Sequence, residues 1–177
     1  DGCAAGPVPF TIGAATEITA TLNPSTLLCN GDLGSISVIA SGGDGSYDFQ
    51  WDASTGSQVT NPAINLTAGT YCVDITDGLG CTVGPFCETI IDVPVLSATS
   101  STTEVLCNGG NTGTATVTPS GGTGTYDYLW DASTGSQVTQ TAVGLIAGTY
   151  SCTVTDDNGC DLVVNGPGFI MSRVKSS

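Results

Sequence analysis

The sequence predicts an all-β chain built as two tandem β-sandwiches, and three observations carry that prediction. The stretch Trp51-Asp52-Ala53-Ser54-Thr55-Gly56-Ser57-Gln58-Val59-Thr60 returns letter for letter as Trp130 to Thr139, an offset of 79 residues. A repeat at fixed period marks one structural unit built more than once. Apolar and polar residues alternate in short runs, and no segment carries a helical period. Glycine-rich turns punctuate these runs roughly every ten residues, as in sandwiches of short strands.

Looser landmarks keep the same step. Cys29-Asn30-Gly31 returns as Cys107-Asn108-Gly109, Ala68-Gly69-Thr70-Tyr71 as Ala147-Gly148-Thr149-Tyr150, and Gly80-Cys81 as Gly159-Cys160. Asp1-Gly2-Cys3 matches Leu79-Gly80-Cys81, and Cys3 to Cys29 spans 26 residues, as does Cys81 to Cys107. Residues 1–24 are therefore expected to hold the last strand of a preceding repeat plus a linker. Residues 25–95 form repeat 1 and residues 96–177 form repeat 2.

Within each repeat every signal is for strands. Ser35–Ile39 and Thr114–Thr118 are β-branched with period two. Gly42-Gly43-Asp44-Gly45 and Gly121-Gly122-Thr123-Gly124 read as turns. Tyr47, Phe49 and Trp51 alternate with Asp48, Gln50 and Asp52, so the aromatics face the core and do not form a sugar platform. Ser57–Thr60 and Ala63–Leu66 read as short strands, Gly69–Thr76 as a longer one, and Thr82–Val93 closes the repeat. About seven strands result, with Trp on the third and Tyr150-Ser151-Cys152 on the sixth. This layout resembles two tandem immunoglobulin-like β-sandwich repeats. The resemblance is partial and extends to the topology and not to a disulfide between strands B and F, because strand B has no cysteine and Val73 stands in repeat 1 where repeat 2 has Cys152.

Charge removes whole classes of function. The chain has 16 acidic residues, 2 basic ones and no histidine, a net charge of −14. The basic residues are Arg173 and Lys175, so residues 1–172 carry no cationic side chain. Nucleic-acid binding needs Lys or Arg to displace counterions, and attraction to anionic lipid needs them too. No apolar run is long enough to span a bilayer as a helix. Eight cysteines at repeating positions point to an oxidising, extracellular setting. Zinc is disfavoured, since there is no close Cys-x-x-Cys pair and no histidine.

Catalysis lacks its parts. There is no histidine, no lysine before position 175, and no positive neighbour to activate a thiol. Asp48 and Asp52 share a strand face but lie about 13 Å apart at about 3.3 Å per residue, too far for glycosidase chemistry. No catalytic or cofactor-binding residue is expected, and the chain is read as a non-enzyme. Calcium is the one ion with candidate ligands, at Asp77, Asp156 and Asp157, with Asp44, Asp48, Asp127 and Asp131 as further clusters. No Asp-x-Asp-x-Asp-Gly loop is present, and a solvated acidic turn is the favoured reading of these aspartates.

The motifs match a known family. Cys107 to Val117, Gly121 to Trp130, Gly144 to Tyr150 and Val154 to Cys160 together resemble the SprB-type repeat, and repeat 1 carries the same landmarks at Cys29, Gly42-Gly43, Trp51, Ala68–Tyr71 and Gly80-Cys81. Such repeats occur in long arrays on very large cell-surface proteins of gliding bacteria, including adhesins exported by the type IX secretion route. The resemblance implies a non-catalytic structural and adhesive module of an extracellular filament or giant adhesin. Its implied partners are neighbouring repeats or copies of itself, with surface polysaccharide as a further ligand class. The alternative is a carbohydrate-binding appendage of a secreted enzyme. The cysteines at 72, 87 and 152 depart from the family pattern and suit a hardened filament.

Spacing then suggests pairings. Cys72 and Cys87 flank one hairpin and fall opposite each other, so an external cross-strand disulfide is expected in repeat 1. Repeat 2 has Ser151 and Gly166 at those places. Cys152 lies one step off that position, facing inward as a small hydrophobe. The pairing of Cys29, Cys81, Cys107 and Cys160 has two solutions. One joins Cys29 to Cys81 and Cys107 to Cys160 within repeats. In an immunoglobulin-like sandwich, however, those turns lie at opposite ends, more than about 20 Å apart, whereas a disulfide needs Cα atoms within about 7 Å. Cys29 with Cys160 is therefore preferred. Cys107 would then reach a following repeat, and Cys81 and Cys3 would reach earlier ones, locking neighbours into a stiff rod.

Overall fold

A computed structural model describes residues 13, 15–106 and 109–166. Cys107, and the strand expected around Cys3, lie outside the described residues. The chain is all-β, with twelve strands and two single 3-10 turns among the described residues. It divides into two compact units, one of Asp1–Ser25 and Ser35–Thr89, the other of Thr26–Gly34 and Ile90–Ser177.

The first unit takes strands β1 (Thr19–Pro24), β2 (Gly34–Ser41), β3 (Tyr47–Trp51), β4 (Ala63–Leu66), β5 (Gly69–Asp77) and β6 (Thr82–Ile90). They form two three-stranded sheets, ordered β1-β2-β4 and β3-β5-β6. Strand β1 runs antiparallel to β2 from Thr19 opposite Ser41 to Pro24 opposite Ile36. Strand β3 pairs with β5 from Tyr47 opposite Asp77 to Trp51 opposite Val73. Alternation sets the faces: Tyr71, Val73 and Ile75 of β5 are buried, while Thr70 and Asp74 are exposed. Ile36, Val38, Ala63 and Leu66 from one sheet and Trp51 and Ile90 from the other are buried too, as is Ile18 just before β1.

The second unit repeats the plan with β7 (Ser97–Thr103), β8 (Gly113–Ser120), β9 (Tyr126–Trp130), β10 (Thr141–Leu145), β11 (Ser151–Asp156) and β12 (Asp161–Asn165). Its sheets run β10-β8-β7 and β12-β11-β9. One core cluster draws on both: Ala98, Ala115, Val117, Ala142 and Leu145 from the first, Trp130, Cys152, Val154, Leu162 and Val164 from the second. Burying each branched aliphatic side chain contributes about 1.5–3 kcal/mol before entropy is counted.

Three expectations need correction. Among the described residues each repeat has six strands, where about seven were expected, because Ser57–Thr60 is not a strand. Ser57 adopts φ 56° and Gly56 φ 80°, so the chain turns where a strand would have to run on. Thr19–Pro24 is the first strand of repeat 1, ahead of the expected boundary at 25. Its Thr-Ala-Thr-Leu alternation pairs with β2 and does not serve as linker. Residues 26–33 precede β2 in the sequence of repeat 1, yet with Gly34 they belong to the second compact unit.

The last strands also differ between repeats. Cys72 is bonded to Cys87 across β5 and β6, while Ser151 sits opposite Asn165 and not opposite the expected Gly166. The Thr76 and Thr82 hydroxyls meet across the first hairpin at 2.9 Å, and Thr155 meets Asp161 across the second at 2.6 Å. From these closing pairs β6 takes one residue more than β12 to reach the position opposite Cys72 or Ser151. The extra residue lies in the stretch holding Gly84, at φ 140°, and Pro85. One inserted residue is what a β-bulge contributes.

Candidate functional site

The ten residues repeated letter for letter build a loop whose polar side chains serve its own backbone. Asp52 caps the 3-10 turn Ala53–Thr55, accepting from the Ser54 N–H at 3.0 Å and from the Ser54 hydroxyl. Its second oxygen accepts the Cys72 N–H at 2.9 Å, fixing the loop to β5. Gln58 reaches Ile64 with both ends of its amide, at 3.0 Å each, as a strand neighbour would. Trp51 donates its indole N–H to Thr60 O at 3.0 Å. Repeat 2 reproduces each contact through Asp131, Gln137 and Trp130. The Ser54 hydroxyl bond, with further backbone N–H donors, holds the Asp52 carboxyl below its ordinary value of 3.8 against the effect of burial, and the Ser133 hydroxyl does the same for Asp131. This conserved chemistry between repeats is therefore architectural.

The calcium candidates occupy the hairpin turns. Asp77 is buried, and its Oδ1 accepts the N–H groups of Leu79 at 3.0 Å and Cys81 at 2.8 Å. Asp156 is buried likewise and accepts from Asn158 at 3.0 Å, Cys160 at 2.9 Å and Thr123 at 2.9 Å. A Cβ on Gly43 would stand 2.8 Å from the Asp77 carboxylate, so only glycine fits where the two turns meet. Asp157 accepts the Thr125 hydroxyl at 2.6 Å, which lowers its own pKa. Among the described residues no group of three or more acidic or thiol side chains is gathered as a metal site would gather them.

The candidate functional site lies in the second unit, where the segment 26–34 is held. Cys29 is disulfide-bonded to Cys160, with Cα atoms 5.7 Å apart. Asn30 donates through its Nδ2 to Asp92 Oδ2 and to Val93 O, at 2.9 Å each, and Gly31 N–H donates to Asp92 Oδ1 at 3.0 Å. Asn158 donates its Nδ2 to Leu28 O at 3.0 Å. The loop also shapes itself: Asp32 accepts the Cys29 N–H at 2.9 Å and returns its own N–H to Cys29 O at 3.0 Å. A cavity of about 190 Å³ lies here, lined by Cys29, Asn30, Val93, Leu96, Asp156 and Cys160 among others. Amides, backbone groups and a covalent bond do this joining, in a chain without a cationic side chain before Arg173.

Cys72 and Cys87 form the external staple of repeat 1, with Cα atoms 4.1 Å apart. Cys152 is fully buried opposite Trp130, at the place of Val73, and burial pushes its thiol up to about 11. Cys81 is exposed and unbonded. The sequence reading missed Asn30 and Asp92, and took Asn158 only as part of the acidic turn with Asp156 and Asp157. The recurrence of Asn after Cys29 and Cys107 was a signal for the first of these. Nothing marked Asp92, since repeat 1 has Ala14 at the matching place.

The family model of the SprB repeat matches residues 19–56 and 99–135. The chain contains two SprB repeats. Each match starts in or at the first strand of a repeat and ends at the capped turn of the ten-residue loop. Cys81, Cys160 and the Cys72–Cys87 staple lie beyond the matched stretches. SprB repeats are modules of cell-surface proteins and are not known as catalytic domains. No curated protein sequence matches the chain.

Proposed function

We propose that these two SprB repeats are structural and adhesive modules of an extracellular bacterial filament or giant surface adhesin, of the kind exported by the type IX route in gliding cells. The observation that carries this reading is the Cys29–Cys160 bond. It fixes the segment before β2 of repeat 1 inside the compact unit of repeat 2. The chain passes between the two units three times, at 25–26, 34–35 and 89–90. A load on the array is then carried through three chain crossings and not through a single linker. Weak contacts repeated along such an array gain avidity through effective concentration.

Protease shaving of intact source cells tests the reading. Peptides of this chain, including the Cys29–Cys160 linked pair, are expected in the shaved fraction. Their release only after lysis would contradict a surface location. A glycan screen of the isolated chain sharpens the test: tight binding by two repeats alone would favour a carbohydrate-binding appendage.

A further inference from the structure

The Cys29–Cys160 bond closes a separation of 131 residues in a chain of 177. The stretch from Asn30 to Gly159 is therefore a covalently closed loop, attached to the rest of the chain at one sulfur–sulfur bond. A pull applied ahead of Cys29 and beyond Cys160 has a shorter route than the backbone. It runs along residues 1–29, crosses the bond and leaves along residues 160–177. The closed loop carries no end-to-end tension, whatever the state of its fold.

The strands divide on the same line. Among the described residues β1 and β12 lie outside the loop, and β2 to β11 lie inside it. Trp51, Val73 and Ile75 of the first core are inside, and β1 outside them has no fully buried residue. Trp130, Cys152 and Val154 of the second core are inside, while Leu162 and Val164 of β12 are outside. Each outer strand is held by an antiparallel ladder to a strand of the loop, β1 to β2 and β12 to β11. These two ladders meet a load first, and their yielding draws out chain only as far as the bonded cysteines. Of the three crossings between the units, 25–26 lies on the covalent route, whereas 34–35 and 89–90 lie within the loop. The second disulfide has a different part. Cys72 and Cys87 are both inside the loop, so their bond stiffens a hairpin that end-to-end tension does not reach.

We propose that the Cys29–Cys160 bond is a load bypass: under tension it keeps the oxidised pair of repeats short and β2 to β11 off the load path, and its reduction makes the pair extensible. The inference rests on the reading of the chain as a structural module of a surface filament or adhesin, and it states how that module bears tension. At about 3.3–3.6 Å per residue, the route through the bond spans at most about 160 Å, and the open chain about 620 Å. Opening the bypass balances as an exchange: a dithiol reductant becomes a disulfide while the protein disulfide becomes two thiols.

Single-molecule stretching of the whole 177-residue chain, held by peptide tags fused to its two ends, tests the proposal. In oxidising buffer the contour length of the chain should stop at about 160 Å, and a dithiol reductant should raise it to about 620 Å. Cys72→Ser with Cys87→Ser should leave the oxidised limit at about 160 Å, because that bond is off the route. Cys29→Ser should raise the oxidised limit to about 570 Å, with only the stretch between positions 72 and 87 still closed. An oxidised wild-type chain that extends to about 440 Å would place the bond at Cys29–Cys81 and overturn the bypass. Extension to about 570 Å or more would leave no bond across the loop and overturn it as well. Failure of the surface-module reading shows separately, as release of the chain only after lysis in the shaving experiment.

Discussion

The two repeats share a strand plan and a loop but differ at their edges. Trp51 and Trp130, Asp52 and Asp131, and Gln58 and Gln137 make the same contacts. Repeat 1 alone has an external staple, Cys72–Cys87, and an inserted residue in the strand that carries it. Repeat 2 alone holds a bonded Cys-Asn-Gly loop, through Asp92, Asn158 and Cys160. The tryptophans and the loop residues that bond the backbone are repeated because packing and backbone hydrogen bonds admit few solutions. Edge positions are free to diverge, and the divergence falls on the residues that meet another segment or stiffen an exposed hairpin.

The largest expected effect probes the shared interior. Trp130→Ala should cost repeat 2 about 3–5 kcal/mol, from the lost side chain and cavity, and it also removes the partner of Thr139 O. Trp51→Ala should cost repeat 1 a similar amount. Denaturant unfolding with separate probes in each repeat checks whether the effect stays in the repeat that carries the change.

The staple is the next difference. The Cys72–Cys87 bond closes a separation of 15 residues, worth about 3 kcal/mol in the chain-entropy account. Cys72→Ser with Cys87→Ser should lower the stability of repeat 1 by up to that amount. The inserted residue makes a sharper claim about repeat 2. Ser151→Cys with Asn165→Cys should form a disulfide there, because those residues are opposed, and Ser151→Cys with Gly166→Cys should not. Thiol titration after oxidation decides between the two.

The capping aspartates should behave alike in both repeats. Asp52→Ala and Asp131→Ala should each cost about 1 kcal/mol, the usual value of a lost cap. Their carboxyls sit below the ordinary 3.8, so their contribution is complete above that pH and is lost as pH falls through their lower folded values. Acid unfolding should therefore begin below pH 3.8 for this contribution, and Asp52→Asn with Asp131→Asn should flatten that limb. The smallest effect belongs to Cys152→Val, which restores the residue of repeat 1. It should change stability by less than about 1.5 kcal/mol. Wild-type Cys152 should resist thiol reagents in the folded state, whereas the exposed Cys81 of the reduced chain reacts.

Most of the architecture was legible because β-strands write themselves at period two. Val73, Ile75 and Trp51 alternate with exposed neighbours and are buried as that alternation requires. Ser57–Thr60 misled because Val59 and Thr60 have strand-like side chains, while the backbone is decided by Gly56 and by the Gln58 amide acting as a strand edge. Asp77 and Asp156 read as ligand candidates because composition cannot distinguish a carboxylate facing water from one facing two or three N–H groups. The hold on Asn30 was invisible for another reason: Asp92 lies 62 residues away, and no periodic pattern connects them.

Non-reducing peptide mapping of the folded chain tests the central claim most directly. The account predicts a linked peptide containing Cys29 and Cys160, joining the loop before the second strand of one repeat to the last hairpin turn of the other. A peptide linking Cys29 to Cys81 in its place would contradict it.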